Sequence, residues 1–166
     1  TDTRAKIRSV EVNEGGQRFA VTGIAKGSGM IKPDMATMLG YVATDAKVAP
    51  AVWKAIAARA TDVSFNRITV DGDTSTNDAL VLMATGAADM PVIDRPQHPL
   101  YAHLAAAVEA VCIGLAQDII RDGEGATKFI TVRVSGGYSE RDCVRVAYAV
   151  AESPLVKTAM FASDAN

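Results

Sequence analysis

A glycine-rich loop that runs into an apolar strand constrains this chain more than any other stretch. Residues 26–39 read KGSGMIKPDMATML, and residues 40–44 (GYVAT) have the composition of a buried strand. Glycine adopts backbone angles that other residues avoid, so residues 26–29 predict a tight loop. Thr37 therefore stands where a loop meets a rigid element. Such a position suits a reactive side chain, although most threonines at strand starts are structural.

Strand and helix patterns surround this loop. Residues 5–12 and 18–24 alternate around a turn at 13–17, which predicts a β-hairpin. Apolar residues at helical spacing predict helices over 51–60 and 99–121. The remaining patterns predict a short strand over 68–70, a helix over 76–85 closed by Gly86, a surface loop over 87–98, a strand over 128–135 and a helix over 138–152 capped by Ser139.

This order of elements predicts an α+β fold, with a layered α/β arrangement as the alternative. A hairpin comes first, and helices then alternate with single strands. The 166 residues are enough for one domain with a sizeable core. We therefore expect residues 1–166 to form a single domain.

The composition argues against nucleic acid and membrane as binding partners. The net charge of −2 leaves no basic surface for nucleic acid. The apolar stretches are broken by charges before they reach the length of a membrane span, and no signal-peptide pattern is visible. Cys112 and Cys143 lie among apolar neighbours in helical patterns, as free thiols do in a reducing compartment. We expect a cytoplasmic protein that binds neither nucleic acid nor membrane.

Five motifs follow one another in the order found in one enzyme family. The loop motif at 26–39 is accompanied by TDT at 1–3, SFN at 64–66 with VDGDTSTND at 70–78, DGEGATKF at 122–129 and SPLVKTA at 153–159. With these motifs the chain resembles the ornithine acetyltransferases (bifunctional glutamate N-acetyltransferase / N-acetylglutamate synthase), nearly from end to end. The resemblance implies that family's fold, which is β-aminopeptidase-like and packs sheets between helical layers.

The resemblance also implies that Thr37 is the nucleophile. A threonine hydroxyl is a weak nucleophile until a base takes its proton, and an N-terminal threonine can use its own amine for this. That amine titrates nearer to neutral pH than a lysine does. Self-cleavage between Ala36 and Thr37 would create both groups at once. Asp34 stands where many relatives carry Asn, but either side chain supports a tight turn, so we expect cleavage here too.

Other residues are assigned to the substrate by the same resemblance. Thr3 and Lys26 correspond to substrate-binding residues, and a lysine suits a carboxylate or a developing negative charge. Glu124, between two glycines, corresponds to a glutamate that contacts both the substrate and the catalytic threonine. In an arbitrary protein, Lys26 and Glu124 would be solvated surface residues. Lys157, His98 and His103 are expected to have structural or surface roles.

The acidic turn at 71–78 has several interpretations. It resembles a calcium-binding EF-hand loop, but Thr76 and Leu82 occupy positions that need Gly and Glu. It also resembles the aspartate pair of haloacid-dehalogenase-like phosphatases, but Ser75 replaces the expected Thr and no second acidic pair follows. We therefore expect no metal. The resemblance implies that this turn supports the active site from behind, through Asp71, Asp73 and Asn77.

The implied activity is acetyl transfer in two half-reactions. Thr37 takes the acetyl group from N-acetylornithine and passes it to glutamate, a step of arginine biosynthesis that needs no resident cofactor. Some relatives also accept acetyl-CoA, and the two self-cleaved chains of relatives assemble into a heterotetramer. The alternatives are an N-terminal-nucleophile aminopeptidase or amidohydrolase of the same fold, or an inactive fragment or uncleaved precursor.

Relatives in this family extend beyond both ends of the present sequence. Their upstream part carries a Thr-Gly pair that forms the oxyanion hole, and their downstream part brings an Asn and a Thr to the active site. None of these residues has a counterpart in 1–166. We therefore expect the chain to be the middle section of a longer enzyme.

Overall fold

A four-stranded mixed sheet, with one long helix across its inner face, forms the centre of the fold. The computed structural model describes residues 2–32, 38–74 and 77–164. Strands β1 to β4 lie side by side in that order; β1, β2 and β3 are antiparallel neighbours, and β4 is parallel to β3. The elements are β1 Lys6–Glu14, β2 Gln17–Lys26, β3 Leu39–Thr44, α1 Pro50–Val63, β4 Ala79–Ala84, α2 Tyr101–Arg121, α3 Glu140–Ala151 and α4 Pro154–Ala162, with a 3-10 turn at Phe65–Arg67. The expected α+β class is confirmed.

The predicted hairpin is confirmed as β1 and β2. Their register runs from Lys6 opposite Ala25 to Glu14 opposite Gln17. The two residues between the strands, Gly15 and Gly16, have φ angles of +56° and +75°. A two-residue turn whose twist matches the strands needs positive φ at both positions, which glycine adopts without steric cost.

Helix α2 supplies much of the core. It packs across β1 and β2 and against α1. Its apolar residues at steps of three and four face the sheet, as the sequence predicted. The inner face of β2 offers Gly23 there, so that the side chains of Val111 and Leu115 approach the strand closely. The buried residues of α2 are Leu104, Ala107, Val108, Val111, Cys112, Leu115, Ala116 and Ile119, and those of α1 are Val52, Ile56 and Ala60.

By length and composition, α2 could also cross a membrane. Before Arg121 its only charged residues are Glu109 and Asp118, which interrupt the apolar sequence as expected but leave the helix apolar enough to meet the composition of a span. Its apolar stripe is buried against the sheet and α1. A helix at the centre of a protein core has the same composition as a membrane span.

The prediction of a helix over 76–85 is wrong, because residues 79–84 form β4. This six-residue stretch is entirely apolar, so its sequence shows neither the helical nor the strand period. Pairing with β3 in parallel overrides the helix preference of its Ala, Leu and Met residues. Leu80 lies over Gly40, where a Cβ atom would come within 2.7 Å of the Leu80 Cδ1.

The predictions of strands over 68–70 and 128–135 are also wrong. Residues 68–70 pair with no strand among the described residues; instead the Val70 amide donates to the carbonyl of Ile31 over 2.7 Å. Residues 128–135 alternate in sequence, yet the described part of the chain provides no neighbouring strand for them. An alternating pattern predicts a strand only if a partner satisfies its backbone groups. The predicted loop at 87–98 is irregular, but it buries Ala88, Met90 and Ile93.

The C-terminal helices are tied to the rest of the fold by side chains that bind backbone carbonyls. Ser139 caps α3 as predicted, its Oγ accepting from the Asp142 amide over 3.1 Å. The hydroxyl of Tyr148 lies 3.1 Å from the carbonyl oxygen of Ile68 and donates to it. Lys157 on α4 donates to the carbonyl of Val70 over 2.6 Å. The lysine of the last motif therefore binds the segment that leads into the acidic turn.

The outer face of the sheet carries an apolar row that crosses all four strands. In this row Ile7 lies opposite Ile24, Ile24 lies opposite Tyr41, and Tyr41 lies opposite Val81. They are between 40% and 61% exposed. The described residues therefore form one sheet with α2 on its inner face, and none of them covers this row.

The close contact at Gly23 makes a testable prediction for stability. In Gly23→Ala the added Cβ would lie 2.9 Å from both Val111 Cγ1 and Leu115 Cδ1. Because core packing leaves little room for such a group, we expect the free energy of unfolding to fall by about 1–3 kcal/mol. Urea denaturation measures the change. Arg18→Ala in the same strand, which loses only an exposed ion pair with Glu11, should change it by less than about 0.5 kcal/mol. Equal effects of the two substitutions would contradict the packing argument.

Candidate active site

The loop after β2 rests on the acidic turn before β4. The backbone amides of Met30 and Ile31 donate to the two carboxylate oxygens of Asp71, over 2.5 Å and 3.1 Å. The amide of Asp73 donates to the same carboxylate over 3.2 Å. Loop amides have no strand partner, so a carboxylate that accepts several of them fixes the loop. Asp71 therefore joins the loop to the turn.

Glu124 lies against the same loop. Its amide donates to the carbonyl of Ser28 over 2.6 Å. A Cβ atom on Gly29 would come within 2.9 Å of Glu124 Oε2 and 3.9 Å of Asp71 Oδ2. Glycine at position 29 thus lets two carboxylates approach one point of the backbone, and their combined charge favours a cationic group there.

A buried lysine holds the start of the chain beneath this loop. Lys6 is 3% exposed, and its ammonium binds Asp2 and, over 2.5 Å, Asp122. Burial alone would lower the pKa of Lys6, but the two carboxylates raise it above its usual value. The bond from Lys6, together with two from Thr3, holds the pKa of Asp122 well below its usual range. The three groups are therefore all charged at neutral pH.

The two carboxylates of this network also bind residues of the predicted site. Asp122 accepts the hydroxyl of Thr3 and, over 3.0 Å, its backbone amide. Asp2 accepts the amide of Gly27, the residue directly after Lys26, over 2.9 Å. Burial raises the pKa of Asp2, but the bonds from Lys6 and Gly27 outweigh that effect and lower it.

Asp78 fixes the first described residue after the expected cleavage site. Its Oδ1 accepts the amide of Met38, and the carbonyl of Met38 accepts the amide of Ala79 over 3.0 Å. Its Oδ2 is buried and has no hydrogen-bond partner among the described residues. Burial raises the pKa of Asp78, although the Met38 amide and the positive charge of Lys26 act in the opposite direction.

The structure brings several predicted site residues to one end of the sheet. Lys26 is the exposed last residue of β2, Thr3 is bound to Asp122 beside the following loop, and Glu124 lies on that loop. Asp71 binds the loop directly. Ala36 and Thr37, the predicted cleavage site and nucleophile, lie outside the described residues.

The other predicted supporting residues are less directly placed. Asp73 touches the site through its backbone bond to Asp71, and Asn77 directly precedes Asp78. Sequence reasoning missed four aspartate and lysine residues that bind the site's backbone or one another. A signal existed for two of them: a lysine on the same face of β1 as Val10 and Val12, and an aspartate at a helix C-terminus, where the helix dipole disfavours it. The missed residues are Asp2, Lys6, Asp78 and Asp122.

A separate cavity of about 430 Å³ lies between α2, α3 and the irregular segment 129–134. Its lining is largely aliphatic and includes Ile113, Val132 and Val144. Arg67 and Glu140, which form an ion pair over 2.7 Å, also line it. None of the predicted site residues lines this cavity.

The buried network predicts how stability depends on pH. A carboxylate whose pKa is depressed by folding stabilises the folded state above its ordinary pKa of about 4, and this contribution is lost as the pH falls through the depressed value. The free energy of unfolding should therefore fall more steeply between pH 5 and pH 3 in the wild type than in Asp122→Asn. Urea denaturation at several pH values measures both slopes. Parallel curves would show that Asp122 is not held in its charged form.

Comparisons with known proteins give the same family as the motifs. The ArgJ family model matches residues 1–166. The arginine biosynthesis bifunctional proteins ArgJ of Psychrobacter arcticus and Pseudomonas fluorescens are 60% and 55% identical over the whole chain, which spans 41% of the length of each. The crystal structure of arginine biosynthesis bifunctional protein ArgJ from Bacillus halodurans is 44% identical with a TM-score of 0.72, covering 76% of this chain and 59% of that one. The chain belongs to the ArgJ family.

Proposed function

We propose that the protein carrying this chain transfers an acetyl group from N-acetylornithine to glutamate through Thr37, as a step of arginine biosynthesis. The observation that carries the proposal is the meeting of three distant segments around one loop. Thr3 is bound to Asp122, Gly27 to Asp2, and Ser28 to Glu124. These segments contain the residues that the family resemblance assigns to substrate.

The charges around the loop suit these substrates. Lys26 offers a cation to an amino-acid carboxylate or to the negative charge that develops on the acetyl oxygen. Glu124 and Asp71, close to Gly29, offer negative charge to the side-chain ammonium of ornithine. Both ends of an amino-acid substrate thus have a group of opposite charge.

The proposed reaction is a double displacement. The Thr37 hydroxyl oxygen bonds to the acetyl carbonyl carbon, its proton passes to the Thr37 amine, and the bond to the ornithine nitrogen breaks as that nitrogen takes up the proton. The amino nitrogen of glutamate then bonds to the acetyl carbon, the bond from that carbon to the threonine oxygen breaks, and the proton lost by the glutamate nitrogen returns to the threonine oxygen through the Thr37 amine. The acetyl group stays covalently bound throughout, so no resident cofactor is required.

Self-cleavage between Ala36 and Thr37 would supply the amine. Two carboxylates hold the described residues on either side of this stretch: Asp71 binds the amide of Ile31, and Asp78 binds that of Met38. Anchoring both flanks of a segment lowers the entropy that a reaction within the chain must lose, which favours such a reaction. This arrangement supports cleavage at that bond.

The wider setting follows from the relatives. Two of them are named as bifunctional proteins of arginine biosynthesis, which supports a second acetyl donor, and acetyl-CoA is the donor that the resemblance implies. We propose a cytoplasmic enzyme whose two cleaved chains stay together and pair into a heterotetramer.

Cleavage can be tested directly by mass spectrometry of the full-length protein. We expect two chains, the second beginning with Thr37, and a single uncleaved chain for Thr37→Ala, because that variant lacks the attacking hydroxyl. Thr37→Ser keeps a hydroxyl and should still cleave. A wild-type protein that remains one chain while transferring acetyl groups would rule out activation by the freed amine.

The acetyl-enzyme intermediate makes a second prediction. N-acetylornithine carrying labelled acetyl, added without glutamate, should leave one label per active site on Thr37, and glutamate should then remove it. Thr37→Ala should take up no label and lose at least about a thousandfold in kcat/KM, because the nucleophile is gone. Rapid release of free acetate or amino acids from peptides instead would indicate a hydrolase.

A further inference from the structure

Lys6 occupies a place where an apolar residue would be expected. It lies on the inner face of β1 with Arg8, Val10 and Val12, and opposite Ala25. Unlike Arg8, which is exposed, Lys6 is enclosed by the core. Its side chain is 1% exposed, and its ammonium binds the carboxylates of Asp2 and Asp122. Burying such an ion pair adds little net stability compared with apolar side chains of similar size. A geometric role is therefore a better account of this lysine than stability.

The first branch of the network leads to Thr3. Asp122 receives Lys6 on Oδ2 over 2.5 Å. The same carboxylate receives the Thr3 amide over 3.0 Å, and its Oδ1 receives the Thr3 hydroxyl. The lysine charge keeps Asp122 ionised and in place, and so both the backbone and the side chain of Thr3 are positioned through it.

The second branch leads to the loop that carries Lys26. Asp2 Oδ1 receives both the Lys6 ammonium and the amide of Gly27, the latter over 2.9 Å. Gly27 has a φ angle of +147°, so this amide belongs to a sharp departure of the chain from β2. Its bond to Asp2 sets the direction in which the loop leaves Lys26.

The third branch leads to Glu124. Asp122 is the first residue after α2, and it opens the turn in which the Glu124 amide donates to the carbonyl of Ser28 over 2.6 Å. The Glu124 carboxylate is then seated against Gly29. Lys6 fixes the start of this turn by binding Asp122, and the loop residue Ser28 binds the turn at Glu124.

We propose that Lys6 is a positioning residue of the proposed substrate site around the loop after β2, setting the placement of Thr3, Lys26 and Glu124 relative to one another through Asp2 and Asp122. It touches no substrate itself. The proposal rests on the proposed acetyl transfer, and it concerns a residue that neither the motifs nor the residue assignments of the family resemblance single out.

The experiment compares Lys6→Met with the wild type in the full-length protein. Methionine keeps the apolar stem and removes the charge. The flanks of the cleavage site are held by Asp71 and Asp78 and not by this network, so we expect cleavage between Ala36 and Thr37 to go to completion. The KM for N-acetylornithine should rise about ten- to a hundredfold, with a smaller change in kcat, because displaced substrate groups weaken binding.

The chain offers a matched control in Arg8→Met. Arg8 also lies on β1 and pairs with α2, through Asp118 over 2.5 Å, but that pair is partly exposed and reaches no residue of the site. We expect its KM and kcat to stay within about twofold of the wild type. This control distinguishes a general effect of losing an ion pair at β1 from the specific effect of losing the bonds of Lys6 to Asp2 and Asp122.

A second variant covers the case in which two unpaired carboxylates prevent Lys6→Met from folding. Lys6→Met combined with Asp122→Asn removes one charge of each sign, and the Asn Oδ1 can still accept the Thr3 amide. It should fold, as judged by circular dichroism and completed cleavage, and show the same rise in KM.

Two results would overturn the proposal. The first is a KM within twofold of the wild type in the Lys6 variant that folds, whatever its thermal stability. The second is a fall in kcat at unchanged KM. A wild-type protein that transfers no acetyl group would instead contradict the proposed function, so the two failures are distinguishable.

Discussion

Carboxylates accept backbone amides of the glycine-rich loop and of the residue that begins the described chain after it. Asp2 binds the amide of Gly27, Asp71 binds those of Met30 and Ile31, and Asp78 binds that of Met38. A loop that leaves a sheet has amides with no strand opposite them, and each needs an acceptor if it is kept from water. Aspartates from two other segments, residue 2 and the acidic turn, supply those acceptors, and the loop takes its shape from where they are fixed.

The sheet and α2 fix the positions of three charged residues around the loop. Asp122 follows the last turn of α2, Asp78 directly precedes β4, and Lys6 is the first residue of β1. Each therefore moves only as far as a packed element allows. Close packing of α2 on Gly23 and of the Leu80 side chain on Gly40 leaves little freedom for such movement. The site is thus built from loops whose fixed points belong to the core.

Much of the fold could be predicted from the sequence because its signals are local. The Gly15-Gly16 turn, the 3.6-residue period of α2 and the Ser139 cap each depend on residues a few positions apart. The strand β4 could not be predicted, because six consecutive apolar residues carry no period and only the partner β3 decides their conformation. Residues 128–135 alternate as a strand does, but a ladder needs a neighbour that the described chain does not provide.

The site likewise combines residues that the sequence predicts with residues that depend on distant partners. Thr3, Lys26 and Glu124 came from the order of motifs that defines a family, and Thr37 lies outside the described residues. Lys6 and Asp122 could not be found in this way, since the bond that joins them spans 116 positions of sequence. Only the fold brings them together.

The position of Asp122 at the end of α2 has a mechanical consequence. Val108, Val111 and Leu115 bury the helix in the core. Asp122, the residue directly after the helix, binds Thr3 and begins the turn that contains Glu124. Any rotation or sliding of the helix on the sheet would shift both contacts together. Under the positioning role proposed for Lys6 and Asp122, substrate affinity would therefore depend on how well these distant aliphatic side chains pack, and shortening one of them would weaken it.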